Sequence, residues 1–257
     1  MNGPTQVLCV CTVVVSLWLV PLTVGRTTED PTSLLNVCLR GLNHKEKPGP
    51  QDKLFDQCLP WQNHSCCTHE TTKELHQGNM YNFNWNHCNQ PMGDACRRHF
   101  VQDLCFYECS PNIGPWLVGV DMKIRKEKPL DMPLCQSECD HWWDDCKSEL
   151  TCLDNWGKGF NWTGATNTCP MGKPCFSFAH MFRDAQTFCE NVWDHSWKVV
   201  DDSKPCMKLL FAPSEGNPNN DVAQWKVNQM IANVAPAAPS SVRIAQFLVF
   251  CTLSFLL

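Results

Sequence analysis

The sequence predicts a single compact, disulfide-rich α+β domain, with several helices, a few short strands and eight disulfides. Three observations predict it. Cysteine is far above ordinary usage, at 19 of 257 residues. An apolar, uncharged run lies at each end, which places the chain on the secretory route, where thiols oxidise. Between them, stretches free of Gly and Pro with helical spacing alternate with loops rich in Pro, Asn and Gly.

Met1 to Gly25 contains no Lys, Arg, Asp or Glu, and Val7 to Val20 is almost wholly apolar. Pro21 follows, with Thr23 and Gly25 before a cleavage point, so residues 1–25 read as a signal peptide. At the other end Ile244 to Leu257 is uncharged and short for a membrane span. A Pro-containing spacer, Val234 to Arg243, precedes it, and small residues stand at Ala232, Asn233 and Ala235. Small site, spacer and apolar end form the signal for a glycosylphosphatidylinositol (GPI) anchor. The expected organisation is a domain over 26–225, a stalk over 226–233, lipid on Asn233, and a removed propeptide over 234–257. The expected location is the extracellular face of the cell membrane, with a secreted form possible.

Cys9 and Cys11 leave with the signal and Cys251 with the tail. Sixteen cysteines remain, all between Cys38 and Cys206, enough for eight bridges in one domain. Cys105-x3-Cys109 and Cys135-x3-Cys139 also have zinc-like spacing, but an oxidising route favours bridges, and no metal or cofactor is expected. Spacing alone does not choose the pairing. A net charge of −5 argues against a nucleic-acid partner, which needs a basic face.

In chain order, Arg26 to Leu34 reads as a short flexible leader. Asn63-His-Ser65 and Asn161-Trp-Thr163 are glycosylation sequons, so both asparagines belong on the surface. Met80 to Asn84 is the best strand candidate. Asp94 to Cys109 reads as a helix, with Phe100, Asp103 and Tyr107 on one side and Cys105 and Cys109 on another. Gln136 to Leu150 reads as a helix whose stripe of Cys139, Trp142, Trp143 and Cys146 faces the core. Ala185 to Trp197 reads as a third helix, with Cys189, Trp193 and Ser196 in one register. Pro213 to Asn220 is polar loop, and Asp221 to Ile231 a last helix.

Eleven Trp against two Tyr invite a use. Trp85, Trp156, Trp162 and Trp193 stand in half-polar contexts, where they either pack in the core or line a slot for a flat ring. Asp103 is either a solvated helix carboxylate or an acceptor aimed into such a slot. His195 and Ser196 are sequence neighbours and do not form an activated pair on a helix, so no enzyme is expected.

Seven motifs, taken together, resemble the folate receptor family. They are His44-Lys-Glu-Lys-Pro-Gly-Pro50, Phe83-Asn-Trp-Asn-His-Cys88, Arg98-His-Phe100, Tyr107-Glu-Cys-Ser-Pro-Asn112, Gly114-Pro-Trp116, Trp142-Trp143 and Gly216-Asn-Pro-Asn219. The resemblance runs from about Leu35 to Gln229. It implies a GPI-anchored receptor that binds folate and reduced folates and carries them into endosomes. It also implies the pairs Cys38–Cys66, Cys58–Cys105, Cys67–Cys109, Cys88–Cys175, Cys96–Cys146, Cys135–Cys206, Cys139–Cys189 and Cys152–Cys169.

The resemblance further implies folate-binding residues. Tyr107 and Trp193 would sandwich the pterin ring, and Asp103 would accept two hydrogen bonds from its amino-pyrimidine edge. A carboxylate suits that edge because it accepts both parallel donors in a fork. Ser196, Arg125 and Lys128 would add polar contacts. Tyr81, Phe83 and Trp156 would wall the aminobenzoate, and Lys158, Gly159 and Trp162 would receive the glutamate. Four positions depart from the family: Ile124 and Phe160 replace tryptophans, Lys128 an arginine and Gly157 a histidine. Lys128 loses the planar two-donor fork. These departures leave open a second reading, a Juno-like sperm–egg adhesion receptor with a weakened pocket and a protein partner on another cell. Riboflavin-binding proteins are a third branch, and the quoted motifs fit folate receptors better.

Overall fold

The backbone is organised around one long helix whose position several disulfides fix. A computed structural model describes residues 30–234. The expected signal peptide (1–25) and residues 235–257 of the expected propeptide lie outside the described residues. Helix α1 covers His69–Gln77 and α2 covers Asp94–Cys109. Nothing in α2 breaks it, and it stops at Ser110 because the residue before a proline, here Pro111, disfavours helical backbone. A two-stranded antiparallel ribbon follows, β1 (Leu117–Gly119) with β2 (Glu127–Pro129). Strand β3 (Met132–Cys135) leads directly into α3 (Gln136–Cys146). Then come β4 (Leu150–Thr151), β5 (Phe176–Ser177), α4 (Phe178–Met181), α5 (Ala185–Asn191), β6 (Trp197–Val200) and α6 (Asn219–Val234). β4 pairs antiparallel with β5, and β3 pairs parallel with β6, Met132 opposite Trp197. This is the α+β architecture of helices and very short strands expected above.

Eight disulfides hold these pieces. Cys58–Cys105, Cys67–Cys109 and Cys96–Cys146 fasten α2 to the segment before α1, to the start of α1 and to α3. Cys139–Cys189 ties α3 to α5, and Cys135–Cys206 ties the end of β3 to the loop after β6. Cys38–Cys66, Cys88–Cys175 and Cys152–Cys169 close the remaining loops. Each bridge restricts the unfolded chain, typically by about 2–4 kcal/mol. The apolar core around them is rich in aromatic rings. Phe100 is fully buried and stacks on Trp156, with ring centroids 4.9 Å apart. It meets Trp142 edge-on at 5.0 Å. Trp142 is buried and Trp143 half-buried against the same core.

The structure departs from the sequence reading at five places. Met80–Asn82 is a 3-10 turn, not a strand, and both Tyr81 and Asn82 have positive φ. Side-chain captures override the short alternating pattern: the Tyr81 hydroxyl is bonded to Glu108, and the Asn84 amide donates to Asn167 Oδ1 at 2.6 Å. The third helix ends at Asn191, six residues early. Asp194 and His195 adopt left-handed backbone, and Met132 N–H then donates to the Ser196 carbonyl to start the β3–β6 pair. Trp193 and Ser196 therefore lie on a loop and share no helical register with Cys189. The second helix stops at Cys146, and Leu150 belongs to β4. The expected leader is docked where it is described: Pro31–Leu34 forms a 3-10 turn capped by Asp30, and Leu34 is buried. The final helix runs beyond Asp221 to Ile231 at both ends, through residues 226–233. Val222, Ala223 and Val227 are buried along it, and Asn233 is exposed. Asn63 and Asn161 are both exposed.

Candidate functional site

A cavity of about 460 Å³ opens between α2, the turn at residues 80–83, the loop before β2 and the loop leading into β6. That is the size of a small-molecule site. Nine of the twelve residues expected to form the site line it. Asp103 and Tyr107 come from one side of α2, and Tyr81 and Phe83 from the 3-10 turn and the residue after it. Arg125 comes from the β1–β2 connection, Trp156 and Trp162 from the loop after β4, and Trp193 and Ser196 from the loop before β6. Trp85 also lines it, so all four half-polar tryptophans face one space. Their rings meet edge to face: Trp193 lies 5.7 Å from Trp156 and 6.5 Å from Trp85.

Asp103 is the one buried carboxylate in the lining, 4% exposed. Burial pushes its carboxyl up to about 7. The Trp197 indole, which donates to Oδ1 at 2.8 Å, pulls the other way. Trp193 is near enough to favour the same charge, yet its indole nitrogen is buried without a hydrogen-bond partner. One indole, that of Trp197, thus orients an acceptor that still faces an aromatic chamber.

A second polar cluster backs the wall. The Tyr81 hydroxyl donates to Glu108, which is fully buried, and His44 Nδ1 stands 3.4 Å from the other Glu108 oxygen. His44 Nε2 meets the Tyr107 carbonyl at 3.1 Å, and Arg125 donates to the Tyr107 hydroxyl at 3.2 Å. Burial raises Glu108, with His44, Tyr81 and Arg125 opposing. Burial likewise carries the Tyr107 phenol up to about 12, so it stays protonated.

The other three expected residues stand outside the lining. Lys128 and Lys158 both bind Asp194, Lys158 at 2.7 Å, and Gly159 is exposed with φ +95°. Among the departures, Ile124 and Gly157 line the cavity, while Phe160 is buried against His87 and Phe83. Sequence reasoning missed Trp197, which holds Asp103, and Lys123, Met122 and Leu104 in the wall. Leu104 follows Asp103 on the same helix and carried a weak signal. Trp197 carried none, because only the β3–β6 pairing brings it to Asp103. Among the described residues three clusters bring Cys together with Cys, His or Asp, and every cysteine in them is bridged: Cys58 to Cys105, Cys88 to Cys175, Cys152 to Cys169 and Cys135 to Cys206.

The model of the folate receptor family matches residues 37–208. The chain belongs to the folate receptor family. It is 48% identical to human folate receptor alpha over 199 residues, which is 76% of this chain and 77% of that protein. It is 45% identical to human folate receptor gamma over 212 residues, covering 80% and 86% of the two chains. The riboflavin-binding protein of Dromaius novaehollandiae is more distant, 29% identical over 181 residues, or 67% and 71%. The matched span contains the whole cavity lining, from Met80 to Trp197.

Proposed function

We propose that this protein is a cell-surface receptor that binds folate in the aromatic cavity and delivers it by endocytosis. One observation carries the reading: a buried carboxylate, Asp103, faces a chamber walled by Tyr81, Phe83, Trp85, Tyr107, Trp156 and Trp193. The pterin edge presents two parallel donors, and Asp103 is the acceptor that matches them. The rings beside it offer offset and edge contacts to a flat heterocycle. Binding, not catalysis, fits the rest of the site. The Ser196 hydroxyl is bonded to the Trp193 carbonyl, and His195 is exposed.

The test is saturable binding of labelled folic acid to cells displaying the full chain. Absence of saturable binding at micromolar ligand would give the adhesion reading precedence, with the exposed surface as its site. Binding should also weaken in acid. With Asp103 pushed up to about 7 in the empty pocket, the free protein is mostly protonated there below neutrality, and the ligand must displace that proton. Affinity should fall about tenfold between pH 7.4 and pH 6, in the direction endosomal release requires. Equal dissociation constants at the two pH values would remove this mechanism.

Attachment to the membrane is expected through lipid on Asn233. No helix among the described residues is long and apolar enough to cross a bilayer. Phosphatidylinositol-specific phospholipase C should release the protein from cells. Protein that stays on the cells after the lipase, with Cys251 still present, would defeat the anchor.

A further inference from the structure

Lys123 and Arg125 line the cavity, Lys128 and Lys158 each adjoin a lining residue in sequence, and the four are not equivalent. Lys128 donates to both the carboxylate and the carbonyl of Asp194, the latter at 2.8 Å. Lys158 reaches the other Asp194 oxygen at 2.7 Å, and Asn155 Nδ2 donates to it at 2.9 Å. Burial opposes the Asp194 charge, but these hydrogen bonds outweigh it and hold the carboxyl well below the usual carboxylate range. Asp194 therefore stays ionised through any physiological pH, with both lysines on it. Gly157 accommodates the arrangement: a Cβ there would lie 3.0 Å from Asp194 Cβ. Arg125 also lines the cavity; its side chain is half-buried, its Nη1 donates to the Tyr107 hydroxyl at 3.2 Å, and its Nε is buried without a hydrogen-bond partner. Lys123 is different. It lines the cavity between Met122 and Ile124, is exposed, and has no hydrogen bond or ion pair among the described residues.

From this we infer that Lys123 is the anion-receiving position at the mouth, and that Asp194 is an internal competitor withholding Lys128 and Lys158 from the ligand. The inference rests on the folate reading and assigns the ligand's dicarboxylate tail to Lys123. The physical reason is exchange against gain. A ligand carboxylate that approaches Lys158 meets an ammonium whose charge Asp194 already offsets, and the Asp194 carboxylate repels it, so little is won. At Lys123 it makes a new pair where none existed. Exposed pairs of this kind contribute modestly, so tail recognition is a matter of severalfold in affinity and the aromatic chamber supplies the rest.

The experiment compares folic acid with pteroic acid, which has the same rings and no glutamate, on cells displaying the full chain. The readout is the ratio of the two affinities. Lys123→Ala should reduce the preference for folic acid about fivefold. Lys158→Ala should change it by less than about twofold, and Asp194→Asn, which frees Lys158, should raise it by about threefold. An unchanged ratio in Lys123→Ala, or a loss in Lys158→Ala equal to that in Lys123→Ala, would overturn the inference. Wild-type protein that binds both compounds equally overturns it as well, while leaving the folate reading intact. Wild-type protein that binds neither refutes both.

Discussion

Replacing Asp103 by alanine is expected to weaken folate binding by roughly a hundredfold or more. The change removes an ionised acceptor and leaves two pterin donors buried without partners, and hydrogen bonds to charged groups contribute about 1.5–3 kcal/mol each. Asp103→Asn should do little better, since its amide puts a donor where a second acceptor is needed. The same substitution should act oppositely on the empty protein. Burial raises the folded carboxyl from 3.8 to about 7. Between those values the unfolded chain ionises while the folded one keeps its proton, so stability falls as pH rises and the loss is complete above about 7. Asp103→Asn, which keeps the shape, should therefore raise the melting temperature at pH 7.4 and leave it nearly unchanged at pH 4. Calorimetry at the two pH values, beside a binding titration, checks both halves. A variant that loses ligand and also loses stability at pH 7.4 would mean that Asp103 holds the fold rather than the ligand.

Phe100→Ala should be the most damaging single change to the core. The ring is fully buried and stacks on Trp156. It meets Trp142, Phe188 and Trp193 edge-on at 5.0 to 6.2 Å. Truncating a buried phenylalanine typically costs about 3–5 kcal/mol, because the cavity left behind collapses only in part. In a domain of this size that is a fall in melting temperature on the order of 10 °C. Because Trp156 and Trp193 form cavity wall, folate affinity should drop as well. Phe100→Leu should recover most of both. A melting temperature within about 2 °C of the wild type would show that the bridges, not this ring, set the stability.

The parts of this molecule that were legible in the sequence are those with local causes. The α2 helix follows from sixteen residues without Gly or Pro, and its spacing set Asp103 and Tyr107 on one side and two bridged cysteines on another. The bridging pattern was not legible from spacing; it came with the family resemblance. What stayed hidden depends on distant partners. The turn at Tyr81 exists because Glu108, twenty-seven residues on, takes the phenol, and no local pattern announces that. Trp197 reaches Asp103 across 94 positions through a parallel strand pair. The helix expected through Trp197 fails for a related reason. The left-handed pair Asp194–His195 turns the chain out of α5, where Lys128, Lys158 and Asn155 hold it.

The edge-to-face cluster of indoles also has an optical consequence. Trp85, Trp156 and Trp193 are mutually 5.7 to 6.5 Å apart, close enough for an excitation absorbed by one to hop among all three before light is emitted. A heterocycle that touches any one of them drains the whole set. Emission from this trio should then dim as a unit when the chamber fills, whichever wall the guest rests against. The protein would report its own occupancy with no attached dye, and the dimming would saturate at one guest per chain.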